Sequence, residues 1–509
     1  MTSLSNNKRI AKNTLLLYIR HLLIMAVSLY TSRVILITLG VTDYGIYNVV
    51  GGVVTMFSFL TSTMASASQR YLSYDLGNNN DNRLKETFSL IFLTYVLIAF
   101  VTIVLTESIA VWFLNNKMTI PQDRMFAANW VLQFSILTYI ANLFSAPYLS
   151  VIISHEKMNV YAYISIVDVL MKLLVVYLLS AFTYDKLILY SILLFFSSLI
   201  TTSCYALYCR FNFAESHYVY FYDWTRLKEM LTFAWWNMIG TVANLLRGQG
   251  INILLNMFFN PTINAARGVA YQVNSAVKSF ANNFYTAVRP QIYKSYAAGE
   301  KESMLSLILM SSRLAFYLLL LISLPIIINV DQILDIWLIN PPRYATLFVQ
   351  IVLFTALIEV FSFPLGAGMQ ATGNIKFYQI VVSGFYLLNI PISYYLLSKG
   401  LPPETVMYVN LILVIIDIIP RLWFCKKNYN LPMKRFVFDV LLKVWLIALT
   451  GYVIGHYLHL LLNSSSNLTG LLISVLLHLC SLLLLITTIG INKTERKKMI
   501  QIITRIIHR

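Results

Sequence analysis

The chain repeats short runs of its own sequence about 217 residues further on. Residues 89–91 (Ser-Leu-Ile) return as residues 306–308, and residues 144–147 (Phe-Ser-Ala-Pro) return as residues 361–364 (Phe-Ser-Phe-Pro). Each copy contains six apolar segments long enough to cross a membrane. The repeat therefore predicts two similar six-helix bundles, a plan used by transporters whose halves rock around a central site.

The composition predicts a membrane protein. The chain is 58% hydrophobic, its mean hydropathy is +0.70, and only 12% of its residues are charged, which excludes a disordered chain and a soluble one. We expect an all-α polytopic membrane protein of about 14 transmembrane helices, in two six-helix bundles in parallel pseudo-repeat plus two C-terminal helices. The predicted segments are an N-terminal lobe (1–210), a C-terminal lobe (211–427), and helices 13–14 with a basic amphipathic tail (428–509).

The net charge of +17 comes from basic residues that are unevenly distributed between the two predicted sides of the membrane. If the N-terminus is cytoplasmic, the cytoplasmic segments hold 25 of the Lys and Arg residues, among them Arg421, and the opposite side holds six. This bias follows the positive-inside rule and predicts that both termini are cytoplasmic. It explains the charge without a nucleic-acid partner. The basic tail from Lys493 to Arg509 is compatible with an interfacial helix on anionic lipid and with a frayed tail that only sets topology.

The sequence contains no recognisable enzyme or metal motif. None of its four cysteines forms a CxxC pair, and no Gly-rich phosphate loop, HExxH, GxSxG or DxD pair occurs. The extramembrane loops are short, which leaves no room for a soluble catalytic domain. We expect no cofactor, no metal site and no enzymatic activity.

Cationic and amide side chains inside the predicted helices are the candidate binding residues, because such groups are costly in hydrocarbon and face a cavity or a partner. Arg20 and Arg247 lie on helices 1 and 7, which the repeat makes equivalent. Arginine binds phosphate oxygens through two parallel hydrogen bonds, so a cleft lined this way suits an anionic polar headgroup. Arg20 near the membrane edge is also compatible with snorkelling to the interface. The candidate substrate-binding residues are Arg20, Arg33, Asn244, Arg247, Arg267, Lys278 and Arg313.

Acidic residues are few in the predicted helices. Asp168 and Lys172 are four residues apart on one helix and predict a neutralised structural pair. Glu359 and Asp417 are the candidates for coupling transport to H⁺ or Na⁺.

Two glycine-containing segments fall in the first pair of helices. Gly40 lies in the predicted outer turn between helices 1 and 2, where glycine permits a tight turn. Gly51 and Gly52 are compatible with a bend in helix 2 and with simple helix packing.

Three motifs resemble one transporter family. They are the run from Ser32 to Tyr47 (Ser-Arg-Val-Ile-Leu-Ile-Thr-Leu-Gly-Val-Thr-Asp-Tyr-Gly-Ile-Tyr), the run from Asn264 to Gly268, and the run from Arg289 to Tyr296. In this order they resemble O-antigen and capsular polysaccharide flippases of the multidrug/oligosaccharidyl-lipid/polysaccharide (MOP) exporter superfamily. The resemblance covers nearly the whole chain and includes the 6+6+2 helix plan.

The resemblance implies alternating-access transport of an undecaprenyl-pyrophosphate-linked oligosaccharide from the inner to the outer leaflet of a bacterial cytoplasmic membrane. The glycan would serve O-antigen, capsule or exopolysaccharide synthesis, and the pyrophosphate would meet Arg20 and Arg247. Helices 13 and 14, around residues 436–491, would contact the lipid tail. Membrane lipids, the coupling ion and the polysaccharide polymerase machinery are the further candidate partners.

Four other classes of function are alternatives to a flippase. A cation-coupled multidrug exporter of the same superfamily is the main alternative, although it predicts more intramembrane acids. A 12-helix sugar permease lacks the two extra helices. A membrane polymerase is expected to carry a large outer loop, and a purely structural membrane protein does not need so many polar residues on helices 7 and 8.

Overall fold

The computed structural model describes residues 3–490, except 56, 79–80, 117–119, 183, 260, 339–340 and 463–467. The described part of the chain is helical and contains no strand. The predicted tail from Lys493 onwards lies outside the described residues. Eleven of the described helical segments are long and apolar enough to cross a membrane. The other three predicted spans also lie in long helices.

The described residues of the first half of the chain form seven α-helices. In chain order they are α1 (Ser3–Thr55), α2 (Ser58–Gly77), α3 (Asp81–Leu105), α4 (Val111–Asn116), α5 (Met125–Ser154), α6 (Met158–Ala181) and α7 (Lys186–Asn212). The long α1 is broken at Gly40, whose φ of 78° is a left-handed conformation that glycine adopts without steric cost. Gly40 therefore makes the outer turn predicted between the first two membrane helices.

The described residues of the second half form eleven α-helices, which run from α8 to α18. They are α8 (Trp224–Phe258), α9 (Pro261–Ala297), α10 (Lys301–Ile328), α11 (Val330–Leu338), α12 (Ala345–Glu359), α13 (Ser362–Thr372), α14 (Lys376–Ser398), α15 (Thr405–Tyr429), α16 (Met433–Arg435), α17 (Lys443–Leu462) and α18 (Leu468–Leu485). The polar α8 and α9, together with the first part of α1, complete the predicted set of membrane helices.

The chain forms two compact units. The first unit contains residues 11–238, and the second contains residues 1–10 and 239–509. The division falls inside α8, because the beginning of this helix packs within the first unit. Arg70 lies over the Phe233 ring at 4.8 Å, and Arg226 donates to Glu86 at 2.7 Å. The boundary predicted at residue 210 corresponds to the end of the sixth membrane helix.

Aromatic and aliphatic side chains fill the core of the second unit. The Phe316 and Phe361 rings stack with centroids 5.4 Å apart, and both side chains are fully buried. The last two long helices belong to this unit, since Leu482 and Ile486 join the same core. The Tyr317 hydroxyl donates to the carbonyl of Gly490 at 3.2 Å. The additional C-terminal helices therefore pack on the second bundle.

Candidate functional site

Charged side chains from three helices of the second unit meet around Glu359. This residue ends α12, and its carboxylate accepts a hydrogen bond from Lys278 of α9. Arg247 of α8 lies 3.5 Å from the other carboxylate oxygen, and its own side chain is only 14% exposed. Glu359 thus neutralises part of the charge of two cations that come from separate helices.

Amide groups extend this arrangement away from Glu359. The Arg247 guanidinium donates to Asn244 at 2.7 Å and to Asn410 at 3.2 Å. The same oxygen of Asn410 accepts from Asn389, and the Ser393 hydroxyl donates to Asn389 at 2.8 Å. Buried amides are costly unless hydrogen-bonded, so these contacts fix the orientation of the Arg247 side chain.

A second ion pair lies beside the first. Arg421 donates to Asp417 at 2.6 Å, to the Tyr378 hydroxyl at 2.6 Å and to the Tyr386 hydroxyl at 3.0 Å. The Arg247 guanidinium also lies over the Tyr386 ring, 4.4 Å from its centroid. We call Arg247, Lys278, Glu359, Asp417 and Arg421 the Arg247 cluster.

Arg421 was counted among the cytoplasmic charges in the sequence analysis and was not considered as a member of an ion pair. Its side chain is only 5% exposed and forms an ion pair one helical turn from Asp417. The i, i+4 spacing that identified the pair of Asp168 and Lys172 was also present here. That spacing is the sequence signal by which Arg421 could have been found.

The Arg247 cluster contains three fixed cations and two carboxylates. The charge that remains is positive, and it lies where water is largely excluded. Guanidinium groups are suited to such sites because they are weakly hydrated and hydrogen-bond in a planar fork. The cluster can therefore accept an additional anion. Glu359 and Asp417, the candidates for ion coupling, both belong to it and both contact cations.

Two further predicted binding residues also belong to the second unit. Arg267 contacts the Asn252 side chain, donates to the carbonyl of Gly248 at 3.1 Å and lies over the Tyr271 ring. Arg313 donates to the carbonyl of Asp439 at 3.2 Å, which ties α10 to the segment after α16. Neither residue contacts the Arg247 cluster through these bonds. The Arg33 side chain lies outside the part of the chain that the structure describes.

Arg20 lies in the first unit, where its guanidinium stacks over the Tyr161 ring at 4.1 Å. Its Nε atom is buried without a hydrogen-bond partner among the described residues. Arg20 lines a cavity of about 420 Å³ together with Asp168 and Lys172. The Lys172 ammonium donates to Asp168 at 2.8 Å, as the sequence predicted.

Three ion pairs join distant parts of the first unit. Arg124 binds Asp185 at 2.7 Å and Asp43 at 2.5 Å. Burial is the largest influence on the pKa of Asp185 and raises it, but Arg124 and the backbone N–H groups of Ile188 and Leu187 together lower it below its ordinary value. Glu215 pairs with His155, and its pKa is likewise lowered because His155, a backbone hydrogen bond and Lys85 together outweigh burial. None of the three pairs was predicted, since the partners are far apart in sequence.

The structure offers no group of three His, Cys, Asp or Glu side chains for a metal ion within its described ranges.

Two family models match the sequence. The family described as polysaccharide biosynthesis protein matches residues 10–296, which is more than half of the chain. The family described as MatE matches residues 238–395. No curated protein sequence is significantly similar to this chain.

Solved structures of MATE transporters share the fold. A MATE transporter in the bent conformation superposes with a TM-score of 0.71 at 11% identity, over 84% of this chain and 98% of the other. MATE transporter ClbM in complex with Rb⁺ gives 0.69 at 15% identity, over 81% and 94%.

A further solved structure is a MOP superfamily transporter from Pyrococcus furiosus described as having a binding pocket of reverse polarity. It gives a TM-score of 0.67 at 12% identity, over 84% of this chain and 98% of the other. At these identities the likeness establishes the fold, and the family model establishes the family. The chain is a multi-pass membrane transporter of the MOP superfamily and belongs to the polysaccharide biosynthesis protein family.

Proposed function

We propose that this transporter moves an undecaprenyl-pyrophosphate-linked oligosaccharide from the inner to the outer leaflet of the bacterial cytoplasmic membrane. The observation that carries the proposal is the excess of buried cations over carboxylates in the Arg247 cluster. A pyrophosphate diester is an anion, and guanidinium groups bind its oxygens in a planar fork. A substrate with a cationic headgroup would meet like charges in this cluster.

The charge distribution of the sequence supports the proposed orientation. Basic residues concentrate on the side that is predicted to carry both termini, which supports a cytoplasmic location for that side. The substrate would bind from this side, and alternating access would release it in the outer leaflet. The glycan would then serve O-antigen, capsule or exopolysaccharide synthesis. Glu359 and Asp417 remain the proposed groups for coupling to H⁺ or Na⁺, and the polymerase machinery remains the proposed protein partner.

A leaflet assay in a deletion strain tests the proposal. Without the gene, the lipid-linked oligosaccharide should accumulate on the cytoplasmic face, where a membrane-impermeant glycan-modifying reagent cannot reach it. The wild-type gene should restore labelling, and Arg247→Ala should fail to do so at an unchanged protein level. Lys399→Ala serves as the matched control, because Lys399 is an exposed cation of the same unit that follows α14. Normal labelling with Arg247→Ala would contradict the proposed role of the cluster.

A cation-coupled multidrug exporter is the second candidate function. The match of residues 238–395 to the MatE family favours it. Overexpression would then raise resistance to toxic organic cations, and deletion would leave the glycan lipid in its normal leaflet. Measuring both in the same strains separates the two functions.

A further inference from the structure

Two neighbouring cavities lie inside the first unit. The larger has a volume of about 420 Å³ and is lined by Arg20 and Tyr161. The smaller has a volume of about 280 Å³ and is lined by Gly51 and Gly52. Four residues line both cavities: Tyr47, Thr138, Asn142 and Leu194. The cavities are therefore adjacent and share part of their walls.

The two cavities differ in polarity, since the smaller is mostly apolar and the larger is rich in polar groups. Hydroxyl groups from α5, α6 and α7 line the larger one, among them Ser145, Ser165 and Thr201. These three hydroxyls donate to backbone carbonyls, and their oxygens can accept from a ligand. The amide of Asn142 is exposed, belongs to the lining of both cavities and can both donate and accept, which suits a ligand that presents many hydroxyls. Tyrosine rings add flat apolar surfaces with a polar edge.

The distribution of charge distinguishes the two cavities. In the larger one Asp168 is already paired with Lys172, so Arg20 is the cation without a carboxylate partner in its lining. The smaller cavity has no ionisable carboxylate, ammonium or guanidinium among its lining residues. A ligand that fits both would place a hydrogen-bond acceptor beside Arg20 and extend an uncharged part into the smaller cavity.

The two glycines explain why the smaller cavity stays open. A Cβ atom at Gly51 would lie 3.7 Å from the Ser135 hydroxyl oxygen, and a Cβ atom at Gly52 would meet nothing within 4 Å. Larger side chains at these positions would project into the space. Glycine inside a helix destabilises it by about 1 kcal/mol relative to alanine, so its presence calls for another reason. Room for a ligand is such a reason.

We infer that this pair of cavities in the first unit is a glycan subsite that holds successive sugar residues of the substrate, the first of them beside Arg20. The inference rests on the proposed function and adds a site in the first unit that is separate from the Arg247 cluster. It also predicts that glycan length matters. A single sugar needs only the larger cavity, whereas a longer chain extends into the smaller one.

A chain-length series tests this subsite. Purified protein in liposomes would be offered polyprenyl-pyrophosphate lipids carrying one sugar or five, and the lipid that reaches the opposite leaflet would be measured. Gly52→Leu fills the smaller cavity, so transport of the five-sugar lipid should fall at least tenfold while the one-sugar lipid moves within twofold of wild type. Gly52→Ala, which adds only a methyl group, should give a smaller loss. Equal losses for both lipids, or none, would overturn the subsite.

A second pair of variants tests the hydrogen bonds without adding bulk. Asn142→Ala should slow the five-sugar lipid several-fold and leave the one-sugar lipid less affected. Gln133→Ala is the matched control, because Gln133 is an exposed amide on the same helix that binds Glu107 and lines neither cavity. Equal transport by both variants would overturn the role of Asn142. If wild-type protein moves neither lipid, the proposed function itself fails and the subsite fails with it.

Discussion

The charged residues of the two units differ in their exposure to solvent. In the first unit Arg20 and the pair of Asp168 and Lys172 line an open, hydroxyl-rich cavity, and Lys172 is half exposed. In the second unit Arg247 and Arg421 contact carboxylates, amides and aromatic rings with little exposure. Arg20 and Arg247 are on helices that the sequence repeat makes equivalent. The repeat therefore preserves the helices and not the chemistry between them.

The largest difference is expected for the two ion pairs with i, i+4 spacing. Arg421→Met leaves the Asp417 carboxylate, itself only 4% exposed, without its cation. Removing one partner of a buried pair costs about 3–5 kcal/mol, because the other charge stays uncompensated. Lys172→Met in the first unit should cost less than about 1 kcal/mol, as for exposed pairs. Thermal unfolding of the detergent-solubilised variants measures both.

The double variant Arg421→Met/Asp417→Leu controls this prediction. Replacing both members of a buried pair by apolar residues is often neutral or stabilising, so the double variant should recover much of the lost stability. If it is as unstable as Arg421→Met alone, the contacts of Arg421 with Tyr378 and Tyr386 are responsible instead of the ion pair.

Much of the fold could be predicted from the sequence because its signals are local. Apolar segment length gave the membrane helices, and four-residue spacing gave the pair of Asp168 and Lys172. The same spacing would have identified the pair of Asp417 and Arg421, but counting Arg421 as a cytoplasmic charge hid it. The contact of Lys278 with Glu359 joins residues 81 positions apart, and no local pattern encodes it. The glycine-lined cavity could not be predicted from the sequence, because Gly51 and Gly52 were also compatible with a bend or close packing.

A smaller effect is expected when Glu359 loses its charge. Glu359→Gln keeps the size of the side chain and removes the carboxylate that Arg247 and Lys278 share. Their positive charge then becomes available to another anion. We expect the affinity for inorganic pyrophosphate to rise about tenfold, which is about 1.4 kcal/mol. Isothermal titration calorimetry on the purified protein measures it.

Asp168→Asn is the comparison variant for this binding experiment. Its partner Lys172 is exposed to solvent, where released charge is screened, so pyrophosphate affinity should change little. A similar gain in both variants would show that the two units do not differ in anion binding. A loss of affinity in Glu359→Gln would show that Glu359 positions the two cations instead of competing with the ligand.

The smallest effect on stability is expected for the partly exposed ion pairs that Arg124 forms in the first unit. Asp185 binds Arg124 and also caps α7, because its side chain accepts from the backbone N–H groups of Leu187 and Ile188. Asp185→Asn keeps a good capping residue and removes only the charge, so the loss should be about 1 kcal/mol or less. Asp185→Ala removes the cap as well and should cost about 1 kcal/mol more.

The pH dependence of the same variants separates the ion pair from the cap. The pKa of Asp185 is lowered from its ordinary value of 3.8, so the ionised form favours the folded state. The stabilisation is fully present above that ordinary value and is lost as the pH falls through the lower folded-state pKa. Between pH 8 and pH 5 the difference in Tm between wild type and Asp185→Asn should therefore stay constant. If wild type gained stability relative to Asp185→Asn as the pH fell from 8 to 5, burial would dominate, because a raised folded-state pKa makes protonation favour the folded state.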